Sequence, residues 1–100
     1  MAASFQLVVL TAEGEDLEVQ AVSLVARAWE GYVGVLAGHA PMITALKPGV
    51  MKVTDDNDST KYLAVGGGVL EVNHDNVSVL ADIVLKADSE DDAKAKAATF

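Results

Sequence analysis

The side chains that could do chemistry in this sequence are two histidines and a scatter of carboxylates, and the chain has no cysteine. His39 lies between Gly38 and Ala40, immediately before Pro41. Catalysis by this histidine would need a nucleophile or a carboxylate beside it, and the serines lie in no nucleophile-elbow context. His74 is in a polar segment typical of a hairpin loop. The sequence favours a loop histidine at position 39 whose ring nitrogens bind backbone carbonyls, with a contact in a protein interface as the alternative.

Carboxylates occur in two groups. The first could supply a pair for acid–base work and consists of Glu13, Glu15, Asp16, Glu18 and Glu30. Such a dyad needs two groups buried together with separated pKa values, which spacing alone does not show, so we expect solvated charges. The second group is Asp55, Asp56 and Asp58. An EF-hand loop counted from Asp56 would need Gly and Glu where the chain has Lys61 and Gly67. The residues predict no metal and no cofactor.

Composition restricts the class of protein. One hundred residues with 51% apolar side chains suit one domain with one core. The net charge of −8 is not typical of a nucleic-acid-binding protein, and it opposes adsorption on anionic lipid. No apolar run approaches the roughly 20 residues of a membrane span, and the N-terminus lacks the features of a signal peptide. We therefore expect a soluble cytoplasmic domain without lipid insertion, which reaches a membrane only through a protein partner.

Hydrophobic periodicity predicts an all-β fold. Polar and apolar residues alternate over residues 16–22, and residues 5–11 form a more buried strand. Two hairpins are predicted, one from residues 50–54 and 61–65 and one from 69–72 and 77–81, and a glycine triplet at 66–68 indicates a corner rather than a phosphate loop. The pattern is typical of an antiparallel sandwich or barrel.

The C-terminal residues differ from the rest. Ser89 followed by Asp92 resembles a capping box, and two favourable i,i+4 ion pairs follow it. We predict a sandwich over residues 1–86 and the start of a helix over 87–100. That helix is short enough to be frayed or truncated.

Glycine and proline are concentrated in residues 30–49, which contain four of the eight glycines and both prolines. Such residues around short apolar runs predict a shaped turn rather than a linker. Two aromatic residues adjoin this segment: Trp29 fits a core position or an interface anchor equally well, whereas Tyr32 is expected to be exposed. We expect an exposed apolar patch on this segment and one sheet face.

The segment follows the pattern E-G-x-x-G-[IV]-L-x-G-H-A-P-x-[IL]-T-x-L-x-P-G, and it resembles the epsilon subunit of F-type ATP synthases. The opening strand at 5–11, the glycine corner within 63–72 and the closing strand at 76–82 are similar to the same family in the same order. The resemblance implies a flattened ten-stranded β-sandwich followed by a two-helix hairpin. It implies a non-catalytic rotor subunit that couples the gamma subunit to the membrane c-ring in proton- or sodium-driven ATP synthesis.

The resemblance also implies positions for the partners. The predicted c-ring contacts are Gly31, Tyr32 and Gly34. The predicted contacts with gamma or the ring are His39, Ala40, Pro41, Met42, Ile43, Thr44 and Thr11. The family position held by Tyr32 is commonly acidic, so aromatic packing is expected to replace charge pairing there. The implied location is the cytoplasmic face of the energy-coupling membrane, with peripheral attachment.

Two alternatives remain open from the sequence. A free-standing β-sandwich that binds a small ligand would need a concave pocket with convergent polar groups. A hydrolase would need two of the clustered carboxylates, or Glu30 and His39, to be brought together. The chain ends at Phe100, about where the family's first C-terminal helix begins. It is therefore either a naturally short member or a fragment.

Overall fold

A computed structural model describes residues 3–100. Over these residues the fold consists of nine strands followed by one helix, which confirms the all-β prediction with a short C-terminal helix. Residues 1–2 of the predicted sandwich lie outside the described residues. The strands are β1 Phe5–Thr11, β2 Gly14–Ala28, β3 Gly31–Leu36, β4 Met42–Leu46, β5 Gly49–Asp55, β6 Thr60–Val65, β7 Gly68–Asn73, β8 Asn76–Ala81 and β9 Val84–Ala87, and the helix is α1 Glu90–Ala97.

The 15-residue strand β2 connects the two halves of the fold. One half contains β1, β8, β7 and β4, and the other contains β3, β5, β6 and β9. The first half of β2 pairs with β1, with Val19 opposite Leu7. Its second half pairs with β3 on one side and β5 on the other, with Leu24 opposite both Val35 and Val53. The register shifts between Ala21 and Ser23, where the pairing with β5 begins. A bulge bends a strand, and here it lies where β2 passes from one half to the other.

The strand order is β1-β8-β7-β4-β2-β5-β6-β9, with β3 paired to β2. Both predicted hairpins, β5–β6 and β7–β8, are confirmed. One pair departs from the antiparallel prediction, because β1 and β8 run parallel. The nine strands within residues 3–100 agree with the prediction of about ten.

The core is apolar, and its residues come from both halves of the sheet. Its largest fully buried side chains are Phe5, Leu7, Leu24, Met51, Leu63 and Leu70. Within residues 3–100 no polar or charged residue is buried. The core therefore contains no ionisable group that could serve as a shielded catalytic acid or base.

The glycine triplet forms the predicted corner between β6 and β7. Gly66 donates its backbone N–H to the Ile83 carbonyl at 2.9 Å, and Gly68 has φ +142°. A Cβ at Gly68 would lie within 2.1 Å of the Leu80 carbonyl oxygen. Strands β7 and β8 can therefore approach one another here only because this residue has no side chain.

Helix α1 packs on the sheet against β5, β6 and β9. Ser89 caps it by accepting a hydrogen bond at Oγ from the Asp92 N–H at 3.1 Å. Lys96 pairs with Asp92 at 2.9 Å, and Ala93 is completely buried against β5, β6 and β9. The helix begins at Glu90, and the predicted boundary at residue 86 falls inside β9.

Candidate interaction site

The glycine- and proline-rich segment forms two separate sites rather than one turn. The β2–β3 turn, Trp29 and Glu30, lies beside the C-terminal end of β4, where Ala28 pairs with Leu46. The other turn, residues 37–41, precedes the N-terminal end of β4. A five-residue strand spans about 15 Å. The predicted contact residues near Tyr32 and those near His39 therefore occupy opposite ends of a strand.

The β2–β3 turn and the start of β3 carry the two most exposed aromatic side chains. Trp29 is 64% exposed and Tyr32 is 73% exposed, which excludes the core position that the sequence left open for Trp29. Gly31 follows the turn with φ +128°, a conformation that side chains rarely adopt. Gly34, the third predicted ring contact, is also exposed, and nothing lies within 4 Å of its Cβ position. The turn and the start of β3 therefore present two exposed aromatic rings beside glycine backbone that no side chain covers.

Two cationic residues, Arg27 and Lys47, flank the same turn. Lys47 donates its N–H to the Arg27 carbonyl at 2.8 Å, and its Nζ lies 5.3 Å from the centroid of the Trp29 ring. Arg27 pairs across the strands with Tyr32. Its side chain lies over Gly49, where a Cβ would come within 2.8 Å of the Arg27 Cδ. The Lys-Pro-Gly sequence between β4 and β5 thus positions both cations beside the aromatics.

At the other turn the structure confirms the prediction of a loop histidine. The His39 Nδ1 lies 2.7 Å from the Ala40 carbonyl oxygen, and the His39 N–H donates to the Leu36 carbonyl at 3.2 Å. Gly38 has φ +79°, and Ala40 and Pro41 are exposed. The histidine stabilises the turn, and no carboxylate is among its hydrogen-bond partners in the described residues.

Alternation along β4 separates the three predicted contact residues on that strand. Met42 packs against the core, and Thr44 is half-buried on the same side of the strand. Ile43 points the opposite way and is 71% exposed. Of these three residues, Ile43 is the most exposed, and Met42 and Thr44 are half-buried.

Ile43 belongs to an apolar outer face formed by β1, β8, β7 and β4. Pairing brings Leu10, Leu80, Val69 and Ala45 into one row across these strands. The next row contains Val8, Ser78, Glu71 and Ile43. We call these eight residues the outer sheet face. Leu80 is 53% exposed and Val69 39%, and the sequence analysis identified neither as a contact residue. A signal was present, because Leu80 is apolar at a position where the alternation of β8 calls for a polar residue.

Thr11 lies at the β1–β2 hairpin with four members of the first carboxylate group, Glu13, Glu15, Asp16 and Glu18. The Thr11 Oγ1 accepts the Glu13 N–H at 3.3 Å, and Thr11 itself is half-buried. Loss of hydration raises the pKa of Glu15, with a further increase from the charge of Glu18. Glu13, Glu15 and Glu18 are all exposed, as is Glu30 at the other end of β2. These carboxylates lack the burial that a catalytic dyad requires.

An open groove of about 590 Å³ lies between α1 and the strands β2, β3 and β5. Its lining includes Arg27, Tyr32, Lys52, Glu90 and Lys94. The Lys94 Nζ is 3.9 Å from the Glu90 carboxylate, so these two charges compensate one another. Residues 3–100 contain no cluster of three or more His, Asp or Glu suited to a metal ion, and no helix long and apolar enough to cross a membrane.

Comparison with known families defines the class of protein. The sequence model described as ATP synthase, Delta/Epsilon chain, beta-sandwich domain matches residues 4–87. The same range contains all nine strands, both turns and the outer sheet face. The class is therefore the Delta/Epsilon β-sandwich.

Two bacterial relatives identify the family within this class. The ATP synthase epsilon chain of Teredinibacter turnerae is 42% identical over 98 residues, which cover 98% of this chain and 70% of the relative. The ATP synthase epsilon chain of Psychrobacter arcticus is 40% identical over 92 residues, which cover 92% of this chain and 67% of the relative. The chain belongs to the ATP synthase epsilon-chain family, whose members are non-catalytic subunits of the enzyme.

Two solved structures share the fold. One is a chain in the cryo-EM structure of the Euglena gracilis mitochondrial ATP synthase, OSCP/F1/c-ring in rotational state 1. It has a TM-score of 0.80 and 24% identity, and the match covers 86% of this chain and 55% of that one. The other is a chain of the Tetrahymena thermophila mitochondrial ATP synthase central stalk/c-ring, with a TM-score of 0.70 and 15% identity. That match covers 84% of this chain and 67% of the other.

Proposed function

We propose that this chain is a mechanical coupling element of the rotor. It holds the gamma subunit with its outer sheet face and meets the polar loops of the c-ring with its β2–β3 turn. Membership of the epsilon-chain family supports this proposal. So does the fold that the chain shares with a protein of the Tetrahymena central stalk/c-ring structure. The expected location is peripheral, on the cytoplasmic face of the energy-coupling membrane.

The observation that carries the proposal is the exposure of the outer sheet face. Ile43, Val69 and Leu80 are 71%, 39% and 53% exposed on neighbouring strands. Contiguous exposed apolar surface of this kind marks a site of protein–protein interaction. Pairing in a β-sheet holds these side chains at fixed spacings, so a partner that covers them turns with the domain as one body.

The β2–β3 turn is a separate surface and suits a separate partner. It lies beside the C-terminal end of β4, whereas the His39 turn precedes the N-terminal end of that strand. Its exposed side chains are aromatic and cationic, whereas those of the outer sheet face are mainly aliphatic. A coupling element needs two such surfaces, because it transmits torque only when one surface holds the shaft and another holds the ring. The predicted contacts Gly31, Tyr32 and Gly34 all belong to β3, which begins at this turn. Of the predicted contacts in the other turn, Pro41 lines the same shallow depression as Ile43 and Glu71 of the outer sheet face.

Binding to purified gamma tests the proposal. Ile43→Asp combined with Leu80→Asp should weaken gamma affinity at least tenfold, equivalent to about 1.4 kcal/mol, because two interfacial apolar side chains become charged. Leu36→Asp is the matched control, since Leu36 is 63% exposed but lies on β3. It should leave gamma affinity within about twofold.

Circular dichroism should show the same β spectrum for all three proteins, because the substituted side chains point to solvent. Unchanged gamma affinity in the Ile43/Leu80 variant would exclude the outer sheet face as the gamma contact. A loss of affinity that appears only in the Leu36 variant would move the gamma contact to β3.

A further inference from the structure

The β2–β3 turn has a charge character opposite to that of the chain as a whole. The chain carries a formal charge of −8, yet Arg27 and Lys47 flank this turn and Glu30 is the one carboxylate within it. The ion pairs recorded within residues 3–100 are Lys61–Asp55, Lys94–Glu90 and Lys96–Asp92. Neither cation at the turn therefore has an intramolecular carboxylate partner in that part of the chain.

The two cations are held in place although they have no anion. The Lys47 main chain is bonded to Arg27, and the Lys47 Nζ lies 5.3 Å from the Trp29 ring centroid, within the range of a cation–π contact. The aliphatic part of Arg27 lies over Gly49. Ordering long side chains has an entropic cost, so holding them in advance favours whatever binds them.

We infer that the β2–β3 turn docks a polar protein loop that carries at least one Asp or Glu carboxylate. This inference rests on the proposed function, in which the loop belongs to the ring. Trp29 and Tyr32 supply the apolar contact area, and Arg27 and Lys47 supply the charge that selects the loop. Trp29 thereby becomes a contact residue that the sequence analysis did not assign.

The charge pattern favours a protein loop over a lipid surface as the occupant. Aromatic and basic side chains together also occur where proteins meet membranes. However, the net charge of −8 repels an anionic bilayer at the distance where a peripheral domain approaches it. A loop that projects from the ring places its carboxylate at the turn without bringing the rest of the chain close to lipid headgroups.

Charge reversal tests the inference in the full chain bound to gamma, with the detergent-solubilised ring of the same enzyme as the probe. Arg27→Glu and Lys47→Glu should each weaken ring binding about three- to tenfold at low salt, because an attraction becomes a repulsion. The loss should shrink as salt rises. Lys86→Glu is the matched control, since Lys86 lies on β9 and is also exposed without a carboxylate partner in residues 3–100. It should leave ring binding unchanged.

Trp29→Ala separates the aromatic contribution from the charge contribution. It should weaken ring binding by about tenfold or more and leave its salt dependence intact. Unchanged or tighter binding in both charge-reversal variants would overturn the acidic-loop inference, while the proposed function would stand if gamma and the ring still bind. Failure of the unaltered chain to bind gamma or the ring would instead refute the proposed function.

Vesicles containing one-third anionic lipid provide the last arm of the experiment. The unaltered chain should not sediment with them at physiological salt. Sedimentation that Lys47→Glu abolishes would show that the cations recognise lipid, and it would overturn the inference of a protein loop.

Discussion

Replacing Gly68 by alanine probes a close approach between the backbones of two paired strands. Gly68 begins β7 with φ +142°, opposite Ala81 of β8. An added Cβ would lie within 2.1 Å of the Leu80 carbonyl oxygen and 2.8 Å from the Ala81 Cα. Both neighbours are backbone atoms of a paired strand, so no flexible side chain can move aside.

The expected loss of stability has two causes. A residue other than glycine in this backbone region costs about 1–3 kcal/mol. Moving β8 away from the methyl group weakens about one ladder hydrogen bond, for about 1 kcal/mol more. The free energy of unfolding should therefore fall by about 2–4 kcal/mol. For a domain of this size, that lowers the melting temperature by about 10–25 °C.

Gly34→Ala is the matched control, because Gly34 is a strand glycine with nothing within 4 Å of its Cβ position. Without a positive φ at this position, the change should be neutral or slightly stabilising. Calorimetric melting of the three proteins measures the difference directly. A Gly68→Ala protein that melts within about 3 °C of the original, or a Gly34→Ala protein that loses as much, would refute the reasoning from backbone approach.

Three further predictions concern other parts of the fold. Backbone N–H groups, first that of Ser59, hold the pKa of Asp55 below its usual value, so Asp55 contributes stability above about pH 4 that disappears as pH falls through the lowered pKa. Urea unfolding should therefore show Asp55→Asn less stable at pH 7, with the difference shrinking as pH falls below about 4; a constant difference would contradict this. Ser89→Ala removes the α1 cap and should lower helix stability by about 1 kcal/mol, seen as faster amide exchange at Asp92; unchanged exchange would argue against the cap. Leu24→Ala opens a cavity at a completely buried position and should cost about 2–5 kcal/mol in urea unfolding, whereas a cost below 1 kcal/mol would mean that the core closes over it.

Local patterns predicted the local parts of the fold. Both hairpins and the capped helix follow from alternation, turn residues and the Ser89 cap, which act between residues close in sequence. The parallel pairing of β1 with β8 joins residues about 70 positions apart, as in Leu10 opposite Leu80. Nothing in either strand taken alone specifies that register, because many apolar strands could fill the same place.

The full length of β2 could not be predicted from the sequence pattern either. Its second half contains apolar residues on both sides of the strand, since Leu24 is completely buried and Val25 is 37% exposed. One side packs in the core and the other borders the open groove. Because Val25 is apolar on the groove side as well, the polar–apolar alternation is interrupted there, and the pattern identified only residues 16–22.

Side-chain direction limited the prediction of the site. The run Met-Ile-Thr-Ala-Leu of β4 has apolar residues on both faces, so the sequence does not show that Ile43 points outward and Met42 inward. The family pattern selected the segment, but only the structure shows that Ile43 is 71% exposed while Met42 packs against the core. Trp29 remained ambiguous for the same reason.

Oxidative footprinting of the chain, alone and after assembly with gamma and the ring, tests the central claim most directly. The account predicts that gamma slows oxidation of Ile43 and Leu80, and that adding the ring slows oxidation of Trp29 and Tyr32. Leu36, which is 63% exposed on β3, should be oxidised at its original rate in the gamma complex. Oxidation of Ile43 and Leu80 at the free-chain rate in an assembly that contains gamma would contradict the account.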